Sequence, residues 1–280
     1  MRAYALAVYL FLYIPIGVIA IFSFNAGRHA SQLQGLSVQW YGKALANPFV
    51  MDALQTSATV AFSSALLATL AGTLAAVALQ GLTGRVRVIF DAAIYIAVMV
   101  PGIVIGIATL IALVTLFDWL NPWLLPYFPD ADGGKVLQMG KGSLIAAHGL
   151  FAVALVITIV RARMAGMDRS LIEASADLGA TAWGTFRQVT LPLIFPAILA
   201  GFLLSFTFSF DDFIVAFFVA GSETTLPIYV FSSIRRGVTP EINAIGTMVL
   251  ALSLVLLVVA QVILQRGSRA RGSLARGATV

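Results

Sequence analysis

Cysteine is absent from this chain of 280 residues, and charged side chains make up only 10% of it. Without cysteine, thiolate nucleophiles, iron–sulfur clusters and thiolate zinc sites are excluded. The two histidines are too few for a transition-metal cluster. A soluble domain carries about 25% charged and about 45–50% apolar residues, whereas this chain is 60% hydrophobic. The composition excludes a soluble enzyme and predicts an integral membrane protein.

Six apolar segments are long enough to cross a bilayer, which requires about 20 residues of helix for ~30 Å of hydrocarbon. They are residues 3–24, 53–79, 92–117, 143–160, 197–220 and 244–264. None shows the period-two alternation of a membrane β-barrel strand. We therefore expect an all-α membrane protein with six transmembrane helices. Residues 1–265 are predicted to form a single membrane domain, and the Gly/Ser/Arg-rich tail 266–280 to be basic and disordered.

Arginine and lysine are distributed unequally between the two predicted faces. Eleven fall on the side that carries both termini: Arg2, Arg85, Arg87, Arg161, Arg163, Arg169, Arg187, Arg266, Arg269, Arg271 and Arg276. Six fall on the other side: Arg28, Lys43, Lys135, Lys141, Arg235 and Arg236. Because cytoplasmic loops are enriched in these residues, both termini are predicted to be cytoplasmic.

The loop between the fourth and fifth segments is the longest on the predicted cytoplasmic side. Within it, Ser170 and Glu173 have the spacing of a capping box, and Gly179 occupies the position of a C-terminal cap. Thr181 can cap a second helix over residues 182–191, which Pro192 and Pro196 would end or bend. The pattern alone favours equally a helix lying on the membrane surface and one that docks on a partner.

Residues 173–192 carry a recognisable motif: E-A-S, then a glycine after three intervening residues, then V-T-L-P after nine more. This resembles the EAA loop of permease subunits of bacterial ATP-binding-cassette (ABC) importers, with Ser175 in place of alanine and Val189 in place of isoleucine. Segments 205–212, 225–227 and 237–244 look like the second permease of spermidine/putrescine importers. Loop 121–142 is longer than the usual third loop of that family.

The resemblance implies a type I ABC importer permease fold in a bacterial inner membrane, with loop 165–195 forming the coupling helix. The residues implied to couple to the ATPase are Glu173, Ala174, Ser175, Asp177, Gly179, Leu191 and Pro192. The implied partners are a second permease subunit in a heterodimer, two ATPase subunits that bind ATP and Mg²⁺, a periplasmic substrate-binding protein and lipid, but no nucleic acid.

An ATP-binding motif is not found in the chain. The nearest string to a P-loop ends in Gly140-Lys141-Gly142, where the spacing is too long and a glycine replaces the required serine or threonine. No Ser/His/Asp arrangement emerges from the spacing of these residues. We therefore expect no cofactor in this chain and no enzyme activity of its own.

Two acidic residues, Asp211 and Asp212, fall inside the fifth segment, and a carboxylate in that position is a functional candidate because its insertion costs at least ~2.5 kcal/mol. We expect Asp212 to line the substrate pathway with Ser209 and Ser205, with Asp211 beside it. The alternative is that one carboxylate braces a broken backbone.

Other residues near the predicted pathway have competing interpretations. Trp40 is a further candidate for contacting a substrate ammonium, although loop packing competes. His148 is expected to be a packed, hydrogen-bonded histidine. No lysine or arginine lies inside the predicted spans. A substrate cation or the partner permease is therefore expected to balance the carboxylates.

The leading functional prediction is a permease subunit that moves a small cationic solute, a polyamine such as spermidine or putrescine, driven by ATP hydrolysis in separate subunits. One alternative is the same importer class carrying an amino acid or another small organic solute. A second is a stand-alone secondary transporter, for which inverted repeats and a broken helix at the midplane are expected. A membrane-embedded enzyme ranks third because no cluster of polar residues is apparent.

Overall fold

The computed structural model describes residues 2–27, 32–128, 135–168 and 170–277, without the side chains of residues 2, 3 and 263–277. The described residues form twelve α-helices: α1 Arg2–Ser23, α2 Gln39–Ala46, α3 Pro48–Ala78, α4 Gly84–Met99, α5 Gly102–Leu124, α6 Lys141–Ala165, α7 Ser170–Asp177, α8 Ala182–Thr185, α9 Leu191–Asp211, α10 Ile214–Val219, α11 Leu226–Arg236 and α12 Pro240–Gly277. The only β-pairing within these ranges is an isolated bridge between Asn25 and Leu36. The all-α prediction is confirmed.

Six helical stretches in the described part of the chain are long and apolar enough to cross a membrane. They are Tyr4–Ser23, Pro48–Gly81, Gly102–Tyr127, Lys141–Ala165, Ala182–Asp211 and Pro240–Val262. This number agrees with the sequence, and the bounds of four spans lie near those predicted. The third and fifth spans differ, and in both cases the helix is broken inside the predicted segment.

The third predicted span, residues 92–117, is divided by Pro101. Helix α4 ends at Met99, and Val100 is extended, with φ −67° and ψ 131°. The proline ring disfavours the helical conformation of the residue before it, so a new helix, α5, begins at Gly102. The crossing therefore runs from Gly102 to Tyr127, and residues 92–99 belong to a separate helix.

The fifth predicted span, residues 197–220, is interrupted at Asp212, which is extended with φ −73° and ψ 120°. Helix α9 ends at Asp211, and the short helix α10 follows. At its other end, α9 is joined to α8 by a π-helical turn over Phe186–Thr190. The sequence predicted that Pro192 and Pro196 would end or bend this helix. The helix ends at neither: Pro192 lies in the first turn of α9, directly after the π-helical turn, and Pro196 lies inside α9.

The chain divides into two compact units. The first comprises Met1–Ala58 and Glu223–Val255, and the second comprises Thr59–Ser222 and Leu256–Val280. The single membrane domain over residues 1–265 stays a prediction. In the first unit, the Asn47 side-chain amide donates to the Glu241 carboxylate at 3.0 Å and lies 3.3 Å from the Tyr229 hydroxyl.

The core of the second unit forms where α3, α6 and α9 pack together. Ala76, Val156, Val160 and Ile194 are fully buried there. A Cβ atom added at Gly72 would lie 2.8 Å from the Val156 Cβ, which is closer than real Cβ atoms approach. Small residues of this kind let transmembrane helices pack closely.

The C-terminal segment continues α12 as far as Gly277. The sequence predicted disorder from residue 266, so the structure differs from that expectation over residues 266–277. Residues 278–280 lie outside the described ranges.

Candidate functional site

A cavity of about 260 Å³ lies in the second unit, beside the breaks in the third and fifth crossings. Its wall is mostly apolar and includes Val100, Gly102 and Val215. Four polar side chains line it: His148, Ser205, Ser209 and Asp212. Both interruptions thus border the same space, because each occurs where a helix stops beside α6. A mostly apolar cavity with a few polar groups is typical of a small-ligand site.

Asp212 is held in the wall by the helix that follows it. Its Oδ2 accepts hydrogen bonds from the backbone N–H groups of Val215 at 3.0 Å and Ala216 at 3.1 Å. These are among the N–H groups that a helix leaves unpaired in its first turn. The carboxylate therefore braces the break in the fifth crossing, which is the alternative the sequence left open. Its side chain is also 28% exposed and lines the cavity.

His148 on α6 connects Asp212 to Ser209. Its side chain is only 3% exposed, its Nε2 lies 3.3 Å from Asp212 Oδ2, and its Nδ1 lies 2.7 Å from Ser209 Oγ. Ser209 Oγ continues to Ser64 Oγ on α3 at 3.0 Å. The sequence predicted neither a Ser/His/Asp arrangement nor a cluster of polar residues, and the structure brings Ser209, His148 and Asp212 together. His148 is packed and hydrogen-bonded, as expected.

Of the other predicted pathway residues, Ser205 lines this cavity and Asp211 does not. Ser205 is fully buried in the cavity wall, and its Oγ has no hydrogen-bond partner among the described residues. Asp211, the last residue of α9, is exposed and is not among the residues lining this cavity. The structure therefore brings Ser205, Ser209 and Asp212 together around His148, and leaves Asp211 out.

Trp40 belongs to the first unit, where α2 packs against the preceding loop. Its indole N–H donates to the Asn25 carbonyl at 2.7 Å, and the residue is 8% exposed. The Lys43 ammonium lies 4.1 Å from the centre of its ring. The cation–π contact predicted for a substrate is thus made by a lysine of the chain itself, and the structure supports the packing interpretation of Trp40.

The segment with the E-A-S motif forms α7, which ends in a left-handed glycine. Gly179 has φ +80°, a conformation that favours glycine because it has no Cβ. The Gly179 N–H donates to Ala176 O at 2.9 Å, and the Ala180 N–H donates to Ser175 O at 3.1 Å. This pair of bonds is a Schellman motif, so the predicted C-terminal cap is confirmed.

The start of α7 differs from the predicted capping box. Ser170 is itself the first helical residue, and its backbone N–H donates to Asp168 Oδ1 at 3.0 Å. The predicted cap of α8 is confirmed, since Thr181 Oγ1 accepts from the Gly184 N–H at 3.1 Å. Arg169, counted among the cytoplasmic arginines, lies outside the described residues.

Ser175, which stands where the EAA motif has alanine, links α7 to α8. Its hydroxyl lies 2.9 Å from the hydroxyl of Thr185. On the same loop, Leu178 is 89% exposed and Trp183 is 69% exposed, with the Trp183 ring stacked on Phe186. The sequence placed Leu178 on the apolar side of the first loop helix, but neither Leu178 nor Trp183 was among the residues predicted to couple to the ATPase. The structure thus shows α7 and α8 joined by a side-chain hydrogen bond, with large apolar side chains exposed on the same loop.

A second cavity, of about 660 Å³, lies between α7 and the ends of α4 and α6, and Glu173 contributes to its wall. Inside it, Arg161 donates a hydrogen bond to Asp91, and Arg87 lies 3.8 Å from the same carboxylate. The hydrogen bond from Arg161, and the charges of Arg161 and Arg87, lower the pKa of Asp91 despite partial desolvation. Arg161 lies in α6 just beyond the predicted span 143–160, so the expectation that no lysine or arginine falls inside the predicted spans is unaffected.

The fold is that of ABC importer permeases. A membrane chain of a bacterial ABC transporter for the acidic polysaccharide alginate aligns with 94% of this chain and 92% of its own length, with a TM-score of 0.70 and 15% identity. A chain of an amino acid ABC transporter solved with histidines aligns over 82% of this chain and all of its own length, with a TM-score of 0.57. At such low identities the likeness shows the fold alone.

Sequence comparison gives nearer relatives. The spermidine/putrescine transport system permease protein PotC of Shigella flexneri is 36% identical over 267 residues, covering 95% of this chain and 94% of the relative. The putrescine transport system permease protein PotI of Escherichia coli K12 is 39% identical over 243 residues, covering 86% and 82%. The model of the family described as binding-protein-dependent transport system inner membrane component matches residues 68–270. This chain therefore belongs to that family of inner membrane permease components.

Proposed function

We propose that this chain is one of two membrane subunits of an ABC importer that brings a polyamine into the bacterial cytoplasm. The observation that carries the proposal is the Asp212 carboxylate, partly exposed in a mostly apolar cavity. The names of relatives at 36–39% identity, spermidine/putrescine and putrescine permeases, support the same substrate class. The other components are a second permease, two ATPase subunits that bind ATP and Mg²⁺, and a periplasmic binding protein.

The chemistry of the cavity favours an organic cation. Two acceptors lie in a mostly apolar wall: the Asp212 carboxylate, which is partly exposed, and the buried Ser205 hydroxyl, which has no hydrogen-bond partner among the described residues. A primary ammonium offers three N–H donors and a positive charge, and a methylene chain packs against apolar side chains without losing hydrogen bonds. A polyamine combines both features, whereas an amino acid would also bring a carboxylate into the cavity that already holds the Asp212 carboxylate.

The loop that carries α7 and α8 is the proposed contact with the ATPase. Its exposed apolar residues, Leu178 and Trp183, are of the kind that become buried when a partner docks. The Ser175–Thr185 hydrogen bond joins the two helices, so that force applied to α7 passes to α8 and on to α9. This arrangement requires both termini and α7 to face the cytoplasm, as the arginine distribution predicts.

Uptake by the assembled transporter tests the proposal. The chain, its partner permease, its ATPase and its binding protein are reconstituted in proteoliposomes with ATP on the ATPase side. We expect accumulation of labelled putrescine or spermidine that requires both ATP and the binding protein. Uptake of amino acids but not of polyamines would contradict the proposed substrate class. Uptake by the permease subunits without the ATPase would contradict the importer mechanism.

Replacement of Leu178 by serine tests the docking surface. Because Leu178 is 89% exposed, the change should leave the fold of this chain intact. Truncation of a buried interface residue costs about 1–2 kcal/mol, so we expect the affinity for the ATPase to fall by about tenfold. The measurement is the amount of ATPase that co-purifies in a concentration series.

The matched control is Leu36→Ser, which changes another leucine that is 78% exposed but lies far from α7 in the sequence. We expect the control to retain wild-type ATPase affinity. Equal retention of the ATPase by both variants would remove Leu178 from the interface.

A further inference from the structure

Two phenylalanine rings, Phe151 on α6 and Phe208 on α9, line the same cavity as Asp212. Their centroids lie 6.4 Å apart and their planes meet at 78°. The pair is not fully buried, since Phe208 is 56% exposed and Phe151 is partly buried. Because both rings contribute to the cavity wall, they present aromatic surface to a molecule that occupies the cavity.

The ring pair lies about one helical turn from Asp212. Phe208 precedes Asp212 by four residues, so the two positions share a face of α9 and its end. At a rise of 1.5 Å per residue they are separated by ~6 Å along the helix axis. The facing helix agrees, because Phe151 follows His148, which contacts Asp212, by three residues. The cavity thus has a carboxylate at one level and two aromatic rings at the next.

A diamine or polyamine brings at least two ammonium groups to this cavity. Asp212 is the only acidic side chain among the residues that line it, so one ammonium is balanced there and the second is not. An extended chain advances by ~1.2 Å per bond, which places the two nitrogens of a four-carbon diamine ~6 Å apart. With its first ammonium at Asp212, such a chain therefore carries its second ammonium to the level of the ring pair.

The ring pair suits the second ammonium better than Ser205 does. An aromatic face attracts a cation that lies within about 6 Å of the ring centre, and the half-exposed Phe208 leaves that cation part of its hydration. Ser205 is fully buried and lies seven residues before Asp212, or ~10 Å along the helix, beyond the reach of a four-carbon chain. An ammonium there would exchange its whole hydration shell for one hydroxyl, which is costly.

We propose that Phe151 and Phe208 are substrate-binding residues that hold the second ammonium group of a diamine or polyamine whose first ammonium lies at Asp212. The inference rests on the proposed function and names the residues that distinguish a diamine from a monoamine. The methylene groups between the two nitrogens pack against the apolar wall. Because the rings act only on the second ammonium, a change in them should weaken the binding of a diamine and leave that of a monoamine unchanged.

The test is equilibrium binding of labelled putrescine to the complex of both permeases with the ATPase in lipid nanodiscs. The binding protein is omitted so that its own specificity does not contribute. The competitors are unlabelled putrescine and butylamine, which has the same carbon chain but one ammonium. In the wild type we expect putrescine to bind about tenfold more tightly than butylamine, the gain typical of a desolvated cation–π contact. In Phe208→Leu most of this preference should be lost, with the affinity for butylamine unchanged.

A fluorinated ring separates the electrostatic effect from packing. Pentafluorophenylalanine in place of Phe208 keeps an aromatic ring but removes the negative charge of its face, which is what attracts a cation. It should also lose the preference for putrescine, and it decides the question should Phe208→Leu fail to assemble. The matched control is Phe62→Leu. Phe62 is 54% exposed and forms an edge-to-face pair with Phe202, but neither residue lines the cavity. This control should keep the wild-type preference.

A preference for putrescine that survives both changes at Phe208 would overturn the inference. Equal affinities of the wild type for putrescine and butylamine, or no specific putrescine binding, would also overturn it. Failure of the proposed function is distinguishable, because it is measured by uptake: wild-type proteoliposomes that accumulate no polyamine contradict the function. Polyamine uptake combined with any of the overturning binding results contradicts only the role of the ring pair.

Discussion

Replacement of Asp212 by asparagine should lower polyamine uptake by about tenfold or more while the complex still assembles. The amide removes the negative charge that an ammonium group meets in the cavity, and hydrogen bonds to charged partners are worth about 1.5–3 kcal/mol. The asparagine carbonyl oxygen can still accept from the Val215 and Ala216 N–H groups that hold residue 212 in place. The measurement is initial uptake rate in proteoliposomes, with assembly followed by co-purification of the subunits.

The matched control is Asp118→Asn, the same change at an exposed carboxylate whose nearest cation, Lys135, is 3.9 Å away. It should retain wild-type uptake. A parallel Asp211→Asn variant tests the neighbouring carboxylate, which is not among the residues that line the cavity. Normal uptake in Asp212→Asn, with a loss in Asp211→Asn, would move the pathway to Asp211.

Glu173→Ala should uncouple ATP hydrolysis from transport or weaken the ATPase contact. Glu173 is exposed on α7 and lines the cavity that holds the Arg87–Asp91–Arg161 cluster. Glu173 thus borders the same cavity as residues of α4 and α6. We expect at least a several-fold fall in solute moved per ATP hydrolysed, measured by uptake and phosphate release on the same proteoliposomes.

Glu223→Ala is the control for this substitution, because it removes a glutamate that lies outside the α7–α8 loop. It should keep the wild-type ratio of solute to ATP. An unchanged ratio and an unchanged ATPase affinity in Glu173→Ala would remove Glu173 from the coupling pathway, even if α7 itself contacts the ATPase.

The predicted spans show how far hydrophobicity alone defines a membrane fold. The number of crossings was correct because each crossing needs its own run of about 20 apolar residues. The third and fifth bounds were wrong because the runs continue across breaks at Pro101 and Asp212. Hydropathy does not register a break when apolar residues flank it on both sides.

The candidate site, like the fold, could be predicted from the sequence only in part. Asp212 stood out in the sequence because a carboxylate inside an apolar span is rare and costly. His148 did not stand out, because neither Ser209 nor Asp212, the residues that its ring contacts, lies near it in the sequence. The residues that complete its contacts lie 61 and 64 positions later in the chain, on and just beyond α9. Only packing of α6 against α9 brings them within reach.

The sequence by itself determined the membrane class, the number of crossings, the family and the helix caps at Gly179 and Thr181, because these depend on composition or on neighbours a few residues apart. The tertiary structure alone decided that the broken third and fifth crossings share a cavity. It also decided that His148 faces Asp212 there, with Ser209 behind the ring. Such contacts depend on which helix faces meet, and no local pattern encodes the distance between side chains on different helices.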